Sequence, residues 1–146
     1  MSLAKTLFSQ EEKQQIVAAI QEAEKNTSGE IRVHLENSFK GDVLDQAAFT
    51  FKKLNMNKTD LRNGVLFYLA VKNKKFAILG DAGINQKVPD NFWDEIKETI
   101  LKEFSSGNFA DGLSKGILMA GEQLKAHFPY QTDDVNELSD EISFGE

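Results

Sequence analysis

The chain has no cysteine and only two prolines in 146 residues. The first absence excludes a disulfide framework, a thiolate zinc site and a thiol nucleophile. The second, with eleven phenylalanines present, favours a compact and regular structure. No apolar run approaches the roughly 18 residues of a membrane-spanning helix. The first residues contain no long apolar stretch and turn acidic at Glu11-Glu12, so they do not read as a secretory signal. A cytoplasmic location is the expectation. A basic excess is missing too, since the net charge is -6. That argues against nucleic-acid binding, which needs a basic face.

The charge is unevenly placed. Six acids and no Lys or Arg follow His127, namely Asp133, Asp134, Glu137, Asp140, Glu141 and Glu146. The rest of the chain balances at 17 acids and 17 bases. The expected organisation is one folded unit over residues 1–128 and an acidic tail over residues 129–146. A tail of this kind is expected to be solvated. Asp134-Val135-Asn136-Glu137-Leu138-Ser139-Asp140 alternates oxygens loosely like a calcium loop, but it lacks the central glycine and closing acid of an EF-hand. A segment docked on the domain is an equal reading of that stretch.

What the chain does have is periodicity. Ser9-Gln10-Glu11-Glu12 is a capping box, and Ile16, Ala19, Ile20 and Ala23 follow at helical spacing, which predicts a helix over 10–25. Asn26-Thr27-Ser28-Gly29 ends it. Glu30 to Glu36 alternates as a half-buried strand, with Ile31, Val33 and Leu35 on one face. Gly41-Asp42 opens a helix with Leu44, Ala47, Ala48, Phe51 and Leu54 on one stripe. Val65 to Val71 is apolar throughout, as in a strand buried on both faces. Lys72-Asn73-Lys74-Lys75 reads as a hairpin turn leading to a second such strand. With the turn centred on Asn73-Lys74, Asp81 faces Leu66 and Ile84 faces Asn63. A loop to Pro89 follows, Asp90 is the expected cap of a third helix bearing Trp93, Ile96, Ile100 and Phe104, and a fourth helix ends near His127. The order helix-strand-helix-strand-strand-helix-helix predicts a parallel crossover and helices on both faces of the sheet.

That arrangement gathers the starts of the Glu30 and Gly64 strands and the end of the Asp81 strand at one sheet edge. Calcium and magnesium take hard oxygen ligands, and Asp81, Asn63, Asp60 and Glu30 offer them there. The competing reading makes Asp81 a turn cap, Asn63 a residue tolerating left-handed backbone, and Glu30 a partner of Arg62. Asp111 is either a further ligand or part of a helix start. His34 and His127 stand alone; His34 on the polar strand face is expected to be solvated. No glycine elbow surrounds Ser28 or Ser105-Ser106, and Gly80-Asp81-Ala82-Gly83 lacks the phosphate-loop signature. The basic hairpin turn suits a soluble edge or an acidic partner.

Thr27-Ser28-Gly29-Glu30-Ile31-Arg32-Val33, Arg62-Asn63-Gly64-Val65-Leu66, Gly80-Asp81-Ala82-Gly83-Ile84 and the Phe104…Phe109…Gly112 spacing together resemble the TPM domain, also called the TLM/Psb32/MOLO-1 domain or DUF477. The resemblance covers roughly residues 9–128. The tail from Phe128-Pro129-Tyr130 to Leu138 resembles small, free-standing bacterial members. The resemblance implies an α/β fold, a three-layer α/β/α sandwich with a short mixed central sheet. It also implies calcium or magnesium binding at a loop-lined site. An acid phosphatase activity has been attributed to one relative, and others act in receptor assembly, so membership fixes no single function. Many members carry an acid before Asn-Gly, where this chain has Arg62, which removes one possible ligand. The expectation is a monomeric, accessory or scaffold module that binds a divalent cation and serves a protein partner, with a metal-dependent acid phosphatase as the alternative.

Overall fold

The structure is a computed structural model and describes residues 6–130 and 140–145. Helix α1 spans Gln10–Glu24, capped by Ser9, whose side chain accepts from the Glu12 amide while Glu12 returns the bond. Strand β1 is Glu30–Glu36 and helix α2 is Val43–Lys53, capped by Asp42. A 3-10 turn at Met56–Lys58 leads to β2, Gly64–Ala70, and then β3, Lys75–Gly80. One helical turn, α3, covers Ala82–Asn85. Helices α4, Asp94–Ser105, and α5, Phe109–Leu124, follow, and β4 is Ser143–Phe144.

The sheet order is β3-β2-β1-β4. β1 and β2 run parallel, as the helical crossover required, and β2 and β3 form the antiparallel hairpin. Odd-numbered residues of β1 and β2 join Ile16, Ile20, Ile96, Ile100, Leu113 and Ile117 in the larger core. On the other face Leu66, Tyr68 and Ala70 pack with Ala47, Phe51 and Met56. Thus α1, α4 and α5 cover one face and α2 the other. Every residue of β2 is buried, which explains its unbroken apolar run.

Four boundaries differ from the sequence expectation. The hairpin register is two residues shorter: Leu66 faces Leu79, and Asp81 donates its amide to Gly64 rather than facing Leu66. The turn therefore centres on Lys72-Asn73, because the left-handed residue is Lys74 at φ 54°. Ile84 lies in α3 and does not pair with Asn63. Asp90 does not cap α4. Phe92 and Asp94 first close tight turns on Pro89 and Asn91, and Trp93 takes the cap position and packs at Gly80. For residues 143–144 the solvated-tail expectation gives way to a docked strand, β4, parallel to β1. Two residues are too short for any periodicity to announce. The calcium-loop-like run before Asp140 lies outside the described residues.

Candidate functional site

The loop before β2 is shaped by backbone. The Arg62 amide donates to the Thr59 carbonyl at 3.2 Å, and Arg62 takes the left-handed conformation at φ 52°. In the turn-cap alternative read from the sequence, that conformation belongs to Asn63; the structure puts it one residue earlier. Asn63 instead works as a stitch between strands. Its amide donates to Thr59 Oγ1, its Nδ2 donates to the Ser28 carbonyl at 3.2 Å, and its carbonyl accepts from the Glu30 amide at 3.2 Å. Asn63 is 1% exposed, and its Oδ1 is buried with no hydrogen-bond partner. A buried carbonyl oxygen left unsatisfied costs free energy, so it is a position where an added donor or cation stabilises.

Asp81 stands at the end of β3 and caps α3, its Oδ1 accepting from the Ala82 amide at 2.7 Å. The same carboxylate takes both arms of Arg62, Nε to Oδ2 at 2.7 Å and Nη2 to Oδ1 at 2.8 Å. This fork is the strong, bidentate form of ion pair. It raises the Arg62 pKa above its ordinary value. Arg62 is half exposed while Asp81 is buried, so the guanidinium lies over the carboxylate like a lid. Gly83 allows the approach: its amide donates to the Arg62 carbonyl, and a Cβ there would sit 2.1 Å from the Leu61 carbonyl oxygen.

The predicted ligands are thus only partly gathered. Asp81, Asn63 and Glu30 lie at one sheet edge, and Asp60 is exposed in the adjoining loop. Arg62 pairs with Asp81, not with Glu30. Asp111 is elsewhere. It lies in the first turn of α5 and accepts from Gln15 Nε2 at 2.9 Å, whereas the far end of that helix, at Leu124, packs on Gly29 beside Glu30. The helical rise separates the two ends by about 20 Å. Among the described residues, no three His, Asp or Glu side chains form a group suited to a metal ion.

Two polar clusters escaped sequence reasoning. His34 is not solvated. It is 6% exposed, its Nδ1 bonds Ser143 Oγ at 2.8 Å, its Nε2 meets Glu36 at 3.2 Å, and its ring stacks on Tyr68. Burial lowers its pKa, against the opposing pull of Glu36. Burial, reinforced by Glu36, pushes the Tyr68 hydroxyl up to about 12. The second cluster sits at the start of β1, where Glu24 Oε2 accepts from the Ile31 amide at 3.0 Å. Burial first, then a hydrogen bond with Asp140, pushes Glu24 up to about 10, so it is a neutral acid at pH 7. The strand alternation did place His34 opposite the apolar row. Nothing local announced that a strand from the distant tail would cover it.

A family model described as the TPM domain matches residues 3–123, which is most of the chain. The chain belongs to the TPM domain family. The solved structure of the BA42 protein from the psychrophilic bacterium Bizionia argentinensis is 51% identical, with a TM-score of 0.90 over 94% of this chain and 95% of that one. It is a small, free-standing bacterial protein, as the tail resemblance suggested. The N-terminal domain of a P. gingivalis protein matches this TPM domain at TM-score 0.70 and 20% identity, over 86% and 83% of the two chains. The N-terminal domain of the cg2496 protein from Corynebacterium glutamicum matches at 0.61 and 16%, over 92% and 79%. These last two share the fold. No curated protein matches this TPM domain at a significant level. Among the described residues, no helix is long and apolar enough to cross a membrane.

Proposed function

We propose that this TPM domain is a non-catalytic accessory module whose Asn63–Asp81 edge takes up calcium or magnesium. The observation that carries the reading is the Asn63 Oδ1 atom, buried and without a partner, at the same edge as the Asp81 carboxylate. An amide oxygen and a carboxylate are the hard donors these cations use. Glu30 and the exposed Asp60 supply further oxygens at that edge. Arg62 is the competitor. Its guanidinium already neutralises Asp81, so cation uptake requires the half-exposed arm to swing into solvent. The affinity is accordingly weak and falls with ionic strength. Bound cation supplies charge neutralisation and order in the loops before β2 and after β3.

The test is a calcium and magnesium titration followed by amide NMR on the wild type, Asp81→Ala and Asp81→Asn. Support is a set of shifts confined to residues 59–64 and 80–85 that both variants lose while their remaining spectra stay folded. Shifts confined to residues 133–146, or none at millimolar cation, sink the reading. Among the described residues, no specific contact favours the phosphatase alternative.

A further inference from the structure

The two edges of the sheet are treated differently. At one edge β4 pairs with β1. At the other, β3 is the terminal strand among the described residues. The Asp81 amide points inward to Gly64, and strand amides alternate, so the backbone groups of Phe76 and Ile78 point outward. Their N–H and C=O groups are a ready template for another strand.

The flanks of this edge are apolar on both faces. On the side of α4 and α5, a cleft of about 510 Å³ is walled by Leu69, Val71, Phe76, Leu101, Phe104 and Phe109. On the side of α2, a cleft of about 380 Å³ is walled by Val43, Leu44, Phe76, Ala77 and Leu101. Phe76 and Leu101 belong to both, so the clefts meet over β3. Leu101 and Leu44 are 54% and 52% exposed. An added strand sends alternate side chains to opposite faces, and here each set meets an apolar cleft.

The charge at the rim has one sign. Lys74 borders both clefts, Lys75 and Lys97 border the smaller one, and among the described residues no acid lines either. Lys72 adds a fourth ammonium in the hairpin turn. Among the described residues, none of these four lysines is in an ion pair. Lysines alone would merely guard an edge against self-pairing. A guard has no need of apolar clefts on both faces.

We infer that the β3 edge is a docking site for an extended, acidic segment of a partner protein, which adds as a strand beside Phe76 and Ile78. Its apolar side chains enter the two clefts and its carboxylates meet Lys72, Lys74, Lys75 and Lys97. The Phe76 end of β3 lies about 17 Å from Asp81, so this surface is independent of the cation edge.

The test uses the full chain and a set of short peptides in which Asp or Glu alternates with Val, Ile, Leu or Phe. A matched set carries Asn and Gln instead. Binding is read by amide NMR and hydrogen exchange. Acidic peptides are expected to shift residues 74–80, to slow exchange of the Phe76 and Ile78 amides, and to bind about tenfold more tightly than the neutral set at low salt. Leu101→Glu abolishes this, and Lys74→Glu with Lys75→Glu removes the charge preference, with circular dichroism unchanged in both. Absence of binding by either set, equal binding by both, or shifts away from β3 overturns the inference. So does a concentration-dependent dimer that Leu101→Glu dissociates, which would assign the edge to a second copy.

Discussion

Arg62 and Asp81 meet through two parallel hydrogen bonds, at 2.7 and 2.8 Å, with the acid buried and the base half exposed. The sequence reading saw an arginine that displaced a ligand from the family pattern. The structure shows that it also supplies a resident cation for the acid that remains. Under the proposed function, a divalent ion would have to compete with this guanidinium for one carboxylate.

Arg62→Gln frees Asp81 from that competition. Calcium affinity is expected to rise in this variant. Its thermal midpoint falls without cation, because a buried carboxylate loses its partner, and recovers as calcium is added. Calorimetry with and without calcium gives both quantities. An unchanged affinity would show that Arg62 does not gate the edge.

Asp111→Asn should leave every cation response untouched, since Asp111 sits about 20 Å along α5 from the Glu30 edge. Parallel NMR titrations of the variant and wild type decide this. A lost response would place the site at α5.

Gly83→Ala tests the close approach that lets the Asp81 turn press on the Arg62 loop. The added methyl meets the Leu61 carbonyl at 2.1 Å, so backbone must move. The expected cost is about 1–3 kcal/mol by chemical denaturation. Cation-induced shifts should weaken as well, because the loop retreats from Asp81.

The two buried titrating clusters give opposite pH slopes. Glu24 has a folded pKa raised to about 10 from 4.5, so its contribution is complete below the unfolded value and is lost as pH rises toward 10. Glu24→Gln keeps a neutral group at the Ile31 amide, and should be more stable than wild type at pH 8 but not at pH 4. His34 has a folded pKa lowered from 6.5, so its neutral form contributes above that value, and stability falls as pH drops below it. His34→Gln should flatten the acid slope between about pH 7 and pH 5. Denaturant midpoints across pH check both, and parallel curves for variant and wild type would refute the assignments.

Which features were legible follows from the range of the forces involved. The capping box at Ser9 and Glu12 is a contact three residues long, and it stands in the structure as written in the sequence. The apolar run of β2 announced burial on both faces, and the helix between β1 and β2 announced their parallel pairing. The hairpin register failed because a four-residue turn can close one residue earlier at no local cost, and the left-handed Lys74 decided it. His34 was misread because exposure of a strand's polar face depends on what covers it, and Ser143 arrives from 109 residues away.

By itself the sequence determined the four long helices and three long strands, their order and the edge where Asn63 and Asp81 lie. Those depend on local periodicity and on the handedness of one crossover. Only the tertiary structure decided that Arg62 occupies the carboxylate, that Asp111 is held by Gln15 of α1 away from the Asn63–Asp81 edge, and that residues 143–144 close one sheet edge while β3 is terminal among the described residues. Each of these depends on where segments distant in sequence meet. Such contacts are set by how the layers pack, and short-range pattern carries no record of that packing.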